Sequence, residues 1–503
     1  MIDKNRRFFL LRLGAVMCLS ALMILACNPA EKEKEQGRAA VVDVETLKSR
    51  LVLEADEDTE KGSKISRGTF STFEDRESQS GRMIKLDVVV LHALGPNIKP
   101  DPVFYLSGGP GQDVTQNEGG LRAFWIRRER DIVLVSQRGT GGDNKLGCAA
   151  VANDDNIQVY LDPLFTVDVF RACYEELKKT YDLTKYSTCL AADDLNEVRL
   201  ALGYEKINLI GGSYGTRMAL VYMRQYPETI RTAILSGVAP IAFKNPLFHA
   251  PAIQEALQLL FAECANDPDC SAVFPDLEDE FRVVIQRLDE HPTDVTISHP
   301  VSEEKVSVKL NREAFVEATR TMMYTMDYNR QIPYLVHRAF EGDYEPFAQL
   351  GVEAERSIRK ILALGMLLSV TCAEDLDRIS EDEIVDATGG TYMGDGRVRR
   401  QKAVCEFWPR SILPDSYGDP VSVDVPVLLL SGTMDPVTPP RWGEEAASHL
   451  ANSLHLVMSG AHGVRGKCIL DIQKQFLETG SVDKLDISCI ESVQMPRFQI
   501  PKR

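Results

Sequence analysis

The chain has 503 residues, room for one large domain with an insertion or for two to three ordinary domains. Hydrophobic residues at 44% and charged residues at 26% supply a core and exclude a chain that is disordered overall. With 57 basic against 74 acidic residues the formal charge is −17, and no Lys/Arg cluster offsets it, which excludes a nucleic-acid binder.

The N-terminus reads as an export signal. Lys4, Arg6, Arg7 and Arg12 precede an apolar run from Leu13 to Ala26, a basic segment followed by a hydrophobic one too short for a confident membrane span. The run ends Ile24-Leu25-Ala26-Cys27, which resembles the bacterial lipobox, so Cys27 is the expected lipidation site and residues 1–26 the expected signal peptide. Asn28 after the cysteine favours, by the same resemblance, the outer membrane on its periplasmic side. Asn5-Arg6-Arg7-Phe8-Phe9-Leu10 also resembles part of a twin-arginine signal, so the export route stays open. Residues 31–64 are rich in Glu, Lys, Asp and small residues, so 27–64 are expected to form a lipidated N-terminus and solvated tether, with a surface helix over Val42–Leu53 as the alternative.

From residue 65 the pattern changes. Two β-rich runs, near Ser66–Phe73 and Met83–Ala93, come first. Short apolar runs flanked by turn residues follow at Val103–Ser107, Ile132–Ser136, Ile207–Ile210, Thr232–Ser236, Val427–Ser431 and Leu454–Ser459. Such runs suit strands of a buried parallel sheet. Helical periodicity at Asp194–Leu202 and Tyr214–Gln225 alternates with them, predicting a doubly wound α/β sheet. Between about 241 and 420 helical patterns dominate: Ala252–Cys264, Leu277–Leu288, Arg312–Met323, Arg330–Phe340 and Glu353–Leu368. The expected organisation is a core over 65–240, a helical cap over 241–420 and a second core segment over 421–503. Within the cap, Ile361–Val370 is apolar enough for a buried helix and too short for a membrane span.

Nine cysteines remain beyond Cys18 and Cys27. In an oxidising compartment they should pair, and an odd number leaves one over. Chain order suggests Cys264–Cys270, Cys372–Cys405 and Cys468–Cys489, with one bridge shared among Cys148, Cys173 and Cys189. No CxxC pair with a matching His pair occurs, so no structural zinc site is expected.

The chemistry centres on Gly211-Gly212-Ser213-Tyr214-Gly215, a G-x-S-x-G directly after an apolar strand and directly before a helix. That is the context of the α/β-hydrolase nucleophile elbow, which raises Ser213 above the sheet at a helix N-terminus. A serine needs a base. In this fold the acid and then the histidine follow the serine in the chain. His249, His291, His299 and His337 fall in the insertion, His449 in a helical pattern and His455 in a strand pattern. His462, in Ser459-Gly460-Ala461-His462-Gly463, lies just past the last strand, where catalytic loops cluster. Asp435, four residues past the preceding strand, is the expected acid. Backbone N–H groups of Gly109, in Ser107-Gly108-Gly109-Pro110-Gly111, and of Tyr214 are the expected oxyanion hole.

Together these motifs resemble the proline iminopeptidase and tripeptidyl aminopeptidase group of α/β-hydrolase serine exopeptidases. Gly108-Gly109-Pro110-Gly111, Gln137-Arg138-Gly139-Thr140-Gly141, Ala192-Asp193-Asp194-Leu195, Gly211–Gly215, Gly432-Thr433-Met434-Asp435-Pro436 and Gly460–Gly463 occur in the family's order over roughly residues 65–490. Cys372 and Cys405-Glu406-Phe407-Trp408-Pro409 are similar to the tripeptidyl branch. The sequence departs from the pattern at Ser136, where the family usually has Asp, and at Asp143, where it commonly has Ser; both bear on substrate preference. The resemblance implies an α/β-hydrolase fold, a mostly parallel doubly wound sheet with a large helical cap inserted after the sixth strand. It implies a Ser–Asp–His aminopeptidase that takes peptides by their free N-termini and needs no metal or organic cofactor. It also implies cap carboxylates that bind the substrate's α-amine, for which Glu374 and then Asp375 are the nearest candidates. An esterase or other acyl hydrolase on the same fold is the alternative, since fold and triad do not separate amides from esters. A non-catalytic binding lipoprotein is the remote one, and Asp-nucleophile hydrolases are excluded by Ser213. The expected partners are a peptide substrate and, through a lipid anchor, a membrane.

Overall fold

The apolar runs pair into a nine-stranded sheet in a computed structural model that describes residues 43–58 and 63–500. The expected signal segment and Cys27 lie outside those residues. The strands are β1 (Leu51–Asp58), β2 (Ser63–Phe73), β3 (Met83–Leu91), β4 (Val103–Leu106), β5 (Ile132–Val135), β6 (Ile207–Gly212), β7 (Ile230–Ser236), β8 (Thr293–Ser298), β9 (Lys305–Leu310), β10 (Val427–Gly432) and β11 (Ser453–Met458). The sheet runs β1-β2-β3-β5-β4-β6-β7-β10-β11. From β5 to β11 it is parallel, while β1, β2 and β3 add antiparallel. All six residues of β10 are buried, as a strand covered on both faces must be. Strand order reverses at β4, with β5 on one side and β6 on the other, which opens a crevice at the carboxyl ends there.

Two helices of this core matter for the site: Thr188–Ala201 (α1) and Tyr214–Gln225 (α2). The markers Arg138 and Asp194 form a brace. Arg138 is fully buried, and its Nε and a terminal nitrogen donate to the two oxygens of Asp194 at 2.7 and 2.8 Å. Asp194 also accepts from Arg76 at 2.7 Å. The brace ties the loop after β5, and β2 through Arg76, to α1. Asp194→Ala leaves the buried Arg138 without its carboxylate, while Arg76 keeps Glu197 at 2.6 Å; we expect a loss of about 3–5 kcal/mol in denaturant unfolding. A loss under 1 kcal/mol would show that the brace is dispensable.

The segment between β7 and β10, residues 237–426, lies outside this sheet although β7 and β10 are paired neighbours. It contains the helices α3 (His249–Asn266), α4 (Leu277–Glu290), α5 (Arg312–Met322), α6 (Ile332–Phe340), α7 (Glu345–Ile361), α8 (Leu364–Glu374), α9 (Glu381–Thr388) and α10 (Gly396–Cys405). Of these, α3 to α7 share an apolar core built on residues such as Leu257, Phe281, Phe315 and Phe347, the last two stacked at 3.9 Å. The core then resumes with β10, α11 (Pro440–Ser448), β11 and α12 (Lys467–Thr479). Among the described residues no helix is long and apolar enough to cross a membrane.

Four expectations need correction. The tether cannot extend to residue 64: Val44–Arg50 is helical, and β1 is an edge strand paired over its whole length with β2. Its Glu54-Ala55-Asp56-Glu57-Asp58 stretch reads as solvated because edge strands carry charge against unwanted pairing. The insertion therefore follows the seventh strand, not the sixth. It is also not purely helical, since β8 and β9 form an antiparallel hairpin within it. Finally, the single helix expected over Glu353–Leu368 is two, α7 and α8, broken at Leu362-Ala363, where the Ala363 N–H donates to Gly111 O at 2.8 Å.

Disulfides join Cys148–Cys173, Cys264–Cys270, Cys372–Cys405 and Cys468–Cys489. Cys189 is the free one among the described residues. Burial, then the charges of Glu374 and Asp193, push its thiol up to about 12, so it is not a reactive thiolate.

Candidate active site

Ser213 sits between β6 and α2 with φ 55° and ψ −126°, a left-handed conformation that a β-carbon disfavours. The turn is held from both sides: Ser213 N donates to Ser236 O at 2.9 Å, and Thr216 N to Ser213 O at 2.8 Å. It also requires Gly215, since a β-carbon there would lie 2.3 Å from the Leu106 carbonyl oxygen. The serine thus stands at the first turn of α2, whose leading N–H groups have no partner within the helix. The loop after β4 backs onto it; a β-carbon on Gly108 would come within 3.1 Å of Ser213 Cβ. Gly109 and Tyr214 line the same cavity as Ser213.

Asp435 and His462 come from the loops after β10 and β11. Those loops approach so closely that a β-carbon on Gly432 would lie 2.2 Å from Ala461 O, and Met434 N donates to Gly460 O at 2.9 Å. His462 Nδ1 lies 2.9 and 2.8 Å from the two oxygens of Asp435. Asp435 is fully buried and further accepts from Val437 N at 2.8 Å, Thr438 N at 2.9 Å and the Thr438 hydroxyl at 2.9 Å. Burial would raise its carboxyl, but His462 and these donors outweigh burial and hold it below the usual carboxylate range. Among the described residues no hydrogen bond joins His462 to the Ser213 hydroxyl, as is common before substrate tightens such contacts. His462 packs edge-on against Tyr324 of the insertion, ring centroids 5.0 Å apart.

The other histidines are placed differently. His455 bonds Ser431 Oγ at 2.9 Å across the sheet, and His449 lies 3.6 Å from Glu445 at the end of α11. His249 lines the cavity with Ser213, but burial, then Arg320 and Arg397, push its imidazole well below the usual histidine range, so it is neutral.

The cavity, about 80 Å³, is bounded by the β4 and β6 loops below and by α5, α7, α8 and α10 above. Glu374 is not part of its lining. It is fully buried, accepts from Thr188 N at 2.6 Å and Thr188 Oγ1 at 2.8 Å, and also accepts from the Tyr417 hydroxyl. Thr188 Oγ1 is in turn 2.8 Å from Tyr214 OH, so Glu374 braces the helix behind Ser213. Burial raises its carboxyl more than Arg217, Tyr417 and Thr188 lower it. Asp375 is buried too and accepts twice from Arg217 at 2.8 and 2.9 Å. Neither Ser136, whose hydroxyl accepts from Asp87 N at 2.7 Å, nor Asp143 lines the cavity.

The residues that do line it and that the sequence pattern did not single out are Arg320, Tyr324, Glu355, Arg359 and Arg397, with His249. One signal was available: Glu317, Arg320 and Tyr324 at helical spacing among the apolar residues Phe315, Val316, Ala318 and Met322. Charges set at i, i+3 inside an apolar helix mark a buried polar cluster.

A parallel sheet with a serine elbow after β6 and an Asp–His pair from the two last strands defines a serine hydrolase. Residues 101–462 match the family described as alpha/beta hydrolase fold, and the chain belongs to that family. It is 24% identical over 383 residues to the serine protease Hip1 of Mycobacterium tuberculosis, covering 69% of this chain and 72% of that one. It is 28% identical over 137 residues to proline iminopeptidase of Neisseria gonorrhoeae, covering 27% of this chain and 32% of that one. Among solved structures, proline iminopeptidase of Mycobacterium smegmatis superposes with a TM-score of 0.39 at 13% identity, over 82% of this chain and 96% of that one.

Proposed function

We propose that this serine hydrolase is an exported aminopeptidase that cleaves residues or short peptides from free N-termini. The observation that carries the reading is the position of Ser213, on its elbow at the floor of a cavity roofed by the insertion, with the Asp435–His462 pair on the neighbouring loops. A roofed cavity suits the end of a chain better than its middle. The similarity to proteins named serine protease and proline iminopeptidase supports an amide substrate.

In this mechanism His462, oriented by Asp435, takes the proton of Ser213, which attacks the scissile carbonyl. The N–H groups of Gly109 and Tyr214 stabilise the oxyanion. His462 then protonates the leaving amine, and water hydrolyses the acyl-enzyme. The substrate's α-ammonium needs a carboxylate in the cavity, and Glu355 supplies it in place of Glu374. Glu355 is the one acid in the lining; it already accepts from Thr321 and from Arg359 at 3.0 Å, yet a carboxylate has about four acceptor sites. Four disulfides and the basic–apolar N-terminus support export, with Cys27 as lipid anchor on the periplasmic side of the outer membrane.

The test is a fluorogenic panel offered to the purified full chain: aminoacyl, prolyl, dipeptidyl and tripeptidyl amides, each with a free and a blocked amine, and simple esters. We expect cleavage of free-amine amides with kcat/KM at least about 10-fold above their blocked counterparts. Ester cleavage without amide cleavage would establish an esterase instead.

A further inference from the structure

The cavity is lined by four arginines and a single glutamate, an odd environment for a site that takes an ammonium group. Two of the four have a carboxylate of their own, although Arg217 Nε, like that of Arg397, is buried without a partner. Arg217 is bound twice by Asp375 and donates to the carbonyls of Pro240 and Phe243. Arg359 is bound by Glu355 and donates to the carbonyls of Val159, Tyr160 and Asp162. The remaining two, Arg320 and Arg397, share one acid. Arg320 Nε donates to Glu317 at 2.8 Å, and a terminal nitrogen of Arg397 to the other oxygen of Glu317 at 3.2 Å. Arg397 Nε is buried without a partner, and its guanidinium lies 4.7 Å over the Phe165 ring. The side chains of Arg320 and Arg397 are only 7% and 11% exposed.

Two guanidiniums on one carboxylate leave one positive charge in a largely water-excluded place. Such a charge is costly unless something neutralises it. Glu355 also attracts both arginines but is itself bound by Arg359, so three guanidiniums against two carboxylates still leave one positive charge. His249, which senses both arginines, is neutral, and its Nδ1 is buried without a partner. Tyr324 donates no charge; its hydroxyl accepts from Arg320 at 2.9 Å while its ring packs on His462. That tyrosine sets the spare cation one side chain away from His462.

We propose that Arg320 and Arg397 form an anion subsite of the Ser213 cavity, which selects substrates carrying a carboxylate on the segment enclosed there. The guanidinium fork matches a carboxylate, and burial makes the pairing selective against the neutral amide of the same shape. The subsite deepens the peptidase reading, on which it rests. With a peptide the carboxylate is a Glu or Asp side chain, on either the acyl or the leaving half, or the free C-terminus of a short peptide.

The experiment compares acid and isosteric amide within each form of the purified full chain, so that a change in overall turnover does not imitate the effect. Tripeptidyl fluorogenic amides carry Glu or Gln at each position in turn, which scores the acyl half. Free tetrapeptides and their C-terminal amides, with Glu or Gln after the cut, score the leaving half by mass spectrometry. Monoesters of glutaric acid and of glutaramic acid form a parallel pair. We expect an acid-over-amide ratio in kcat/KM of about 10- to 100-fold at one position, falling to about 3-fold or less in Arg397→Gln. Arg397→Lys, which keeps the charge without the fork, should fall between. A wild-type ratio near one at every position overturns the subsite, as does a ratio that survives in Arg397→Gln. If only the ester pair is turned over, the peptidase reading fails and the subsite is judged on that pair. If nothing is turned over, glutarate decides: a rise in Tm of Ser213→Ala that is absent from the Ser213→Ala, Arg397→Gln double variant supports the subsite, and no rise, or a rise that persists in the double variant, overturns it.

Discussion

Ser213→Ala will lower kcat/KM on every substrate the protein cleaves by about 10⁴- to 10⁶-fold, the scale on which loss of the nucleophile acts in other serine hydrolases. The substitution removes one oxygen and leaves the elbow as it is. Alanine has the same β-carbon, so it meets the same disfavoured φ of 55° and gains no strain relative to serine. The backbone bonds to Ser236 and from Thr216 do not involve the hydroxyl. Thermal unfolding should therefore stay within about 1 kcal/mol of the parent. A fluorophosphonate probe, which reacts with an activated serine, should label the parent and not the variant. Turnover within tenfold of the parent, on protein shown by mass to carry the substitution, would remove Ser213 from the mechanism.

Asp435→Asn should cost nearly as much, about 10³- to 10⁴-fold in kcat, with little loss of fold. The carboxylate is held below its usual range despite full burial, so it is ionised at neutral pH and accepts from every group around it. One oxygen takes the N–H groups of Val437 and Thr438, and the other takes the Thr438 hydroxyl; His462 Nδ1 is within 2.9 Å of both. An asparagine can keep its oxygen on the two backbone N–H groups. Its NH₂ then faces the Thr438 hydroxyl and His462 Nδ1. A donor there forces the proton of the imidazole onto Nε2, the atom that must accept the serine's proton. The loss should appear in kcat and in the rate of fluorophosphonate labelling together. A variant that labels at the parent's rate would assign the orientation of His462 to Thr438, which lies 3.2 Å from Nδ1, rather than to Asp435.

What was legible in the sequence follows from which signals are local. The parallel strands announce themselves because both faces are covered, and β10 is simply Val-Leu-Leu-Leu-Ser-Gly. Ser213, Asp435 and His462 are readable because each sits at a fixed place after a strand, and strand ends are local facts. The edge strand β1 was hidden by its own charges. The break between α7 and α8 was hidden because its cause, the Gly111 carbonyl, is some 250 positions away in the chain. Glu374 misled for a similar reason: its neighbourhood fixes the helix but not which way the carboxylate faces, and Thr188 and Tyr417 decide that. The arginine cluster is assembled from α5 and α10, and no run of either helix contains it.

The insertion has a further consequence, for the order in which the molecule comes into being. Ser213 lies before segment 237–426; Asp435 and His462 lie after it. A chain emerging N-terminus first therefore completes the elbow, and then the whole roof, before either partner of the serine exists. Until β10 arrives, the outer edge of β7 is an unpaired parallel strand, the kind of edge that recruits other chains. The growing polypeptide thus passes through a long interval in which it is chemically silent and at its stickiest, and both conditions end with the same event, the docking of β10 and β11.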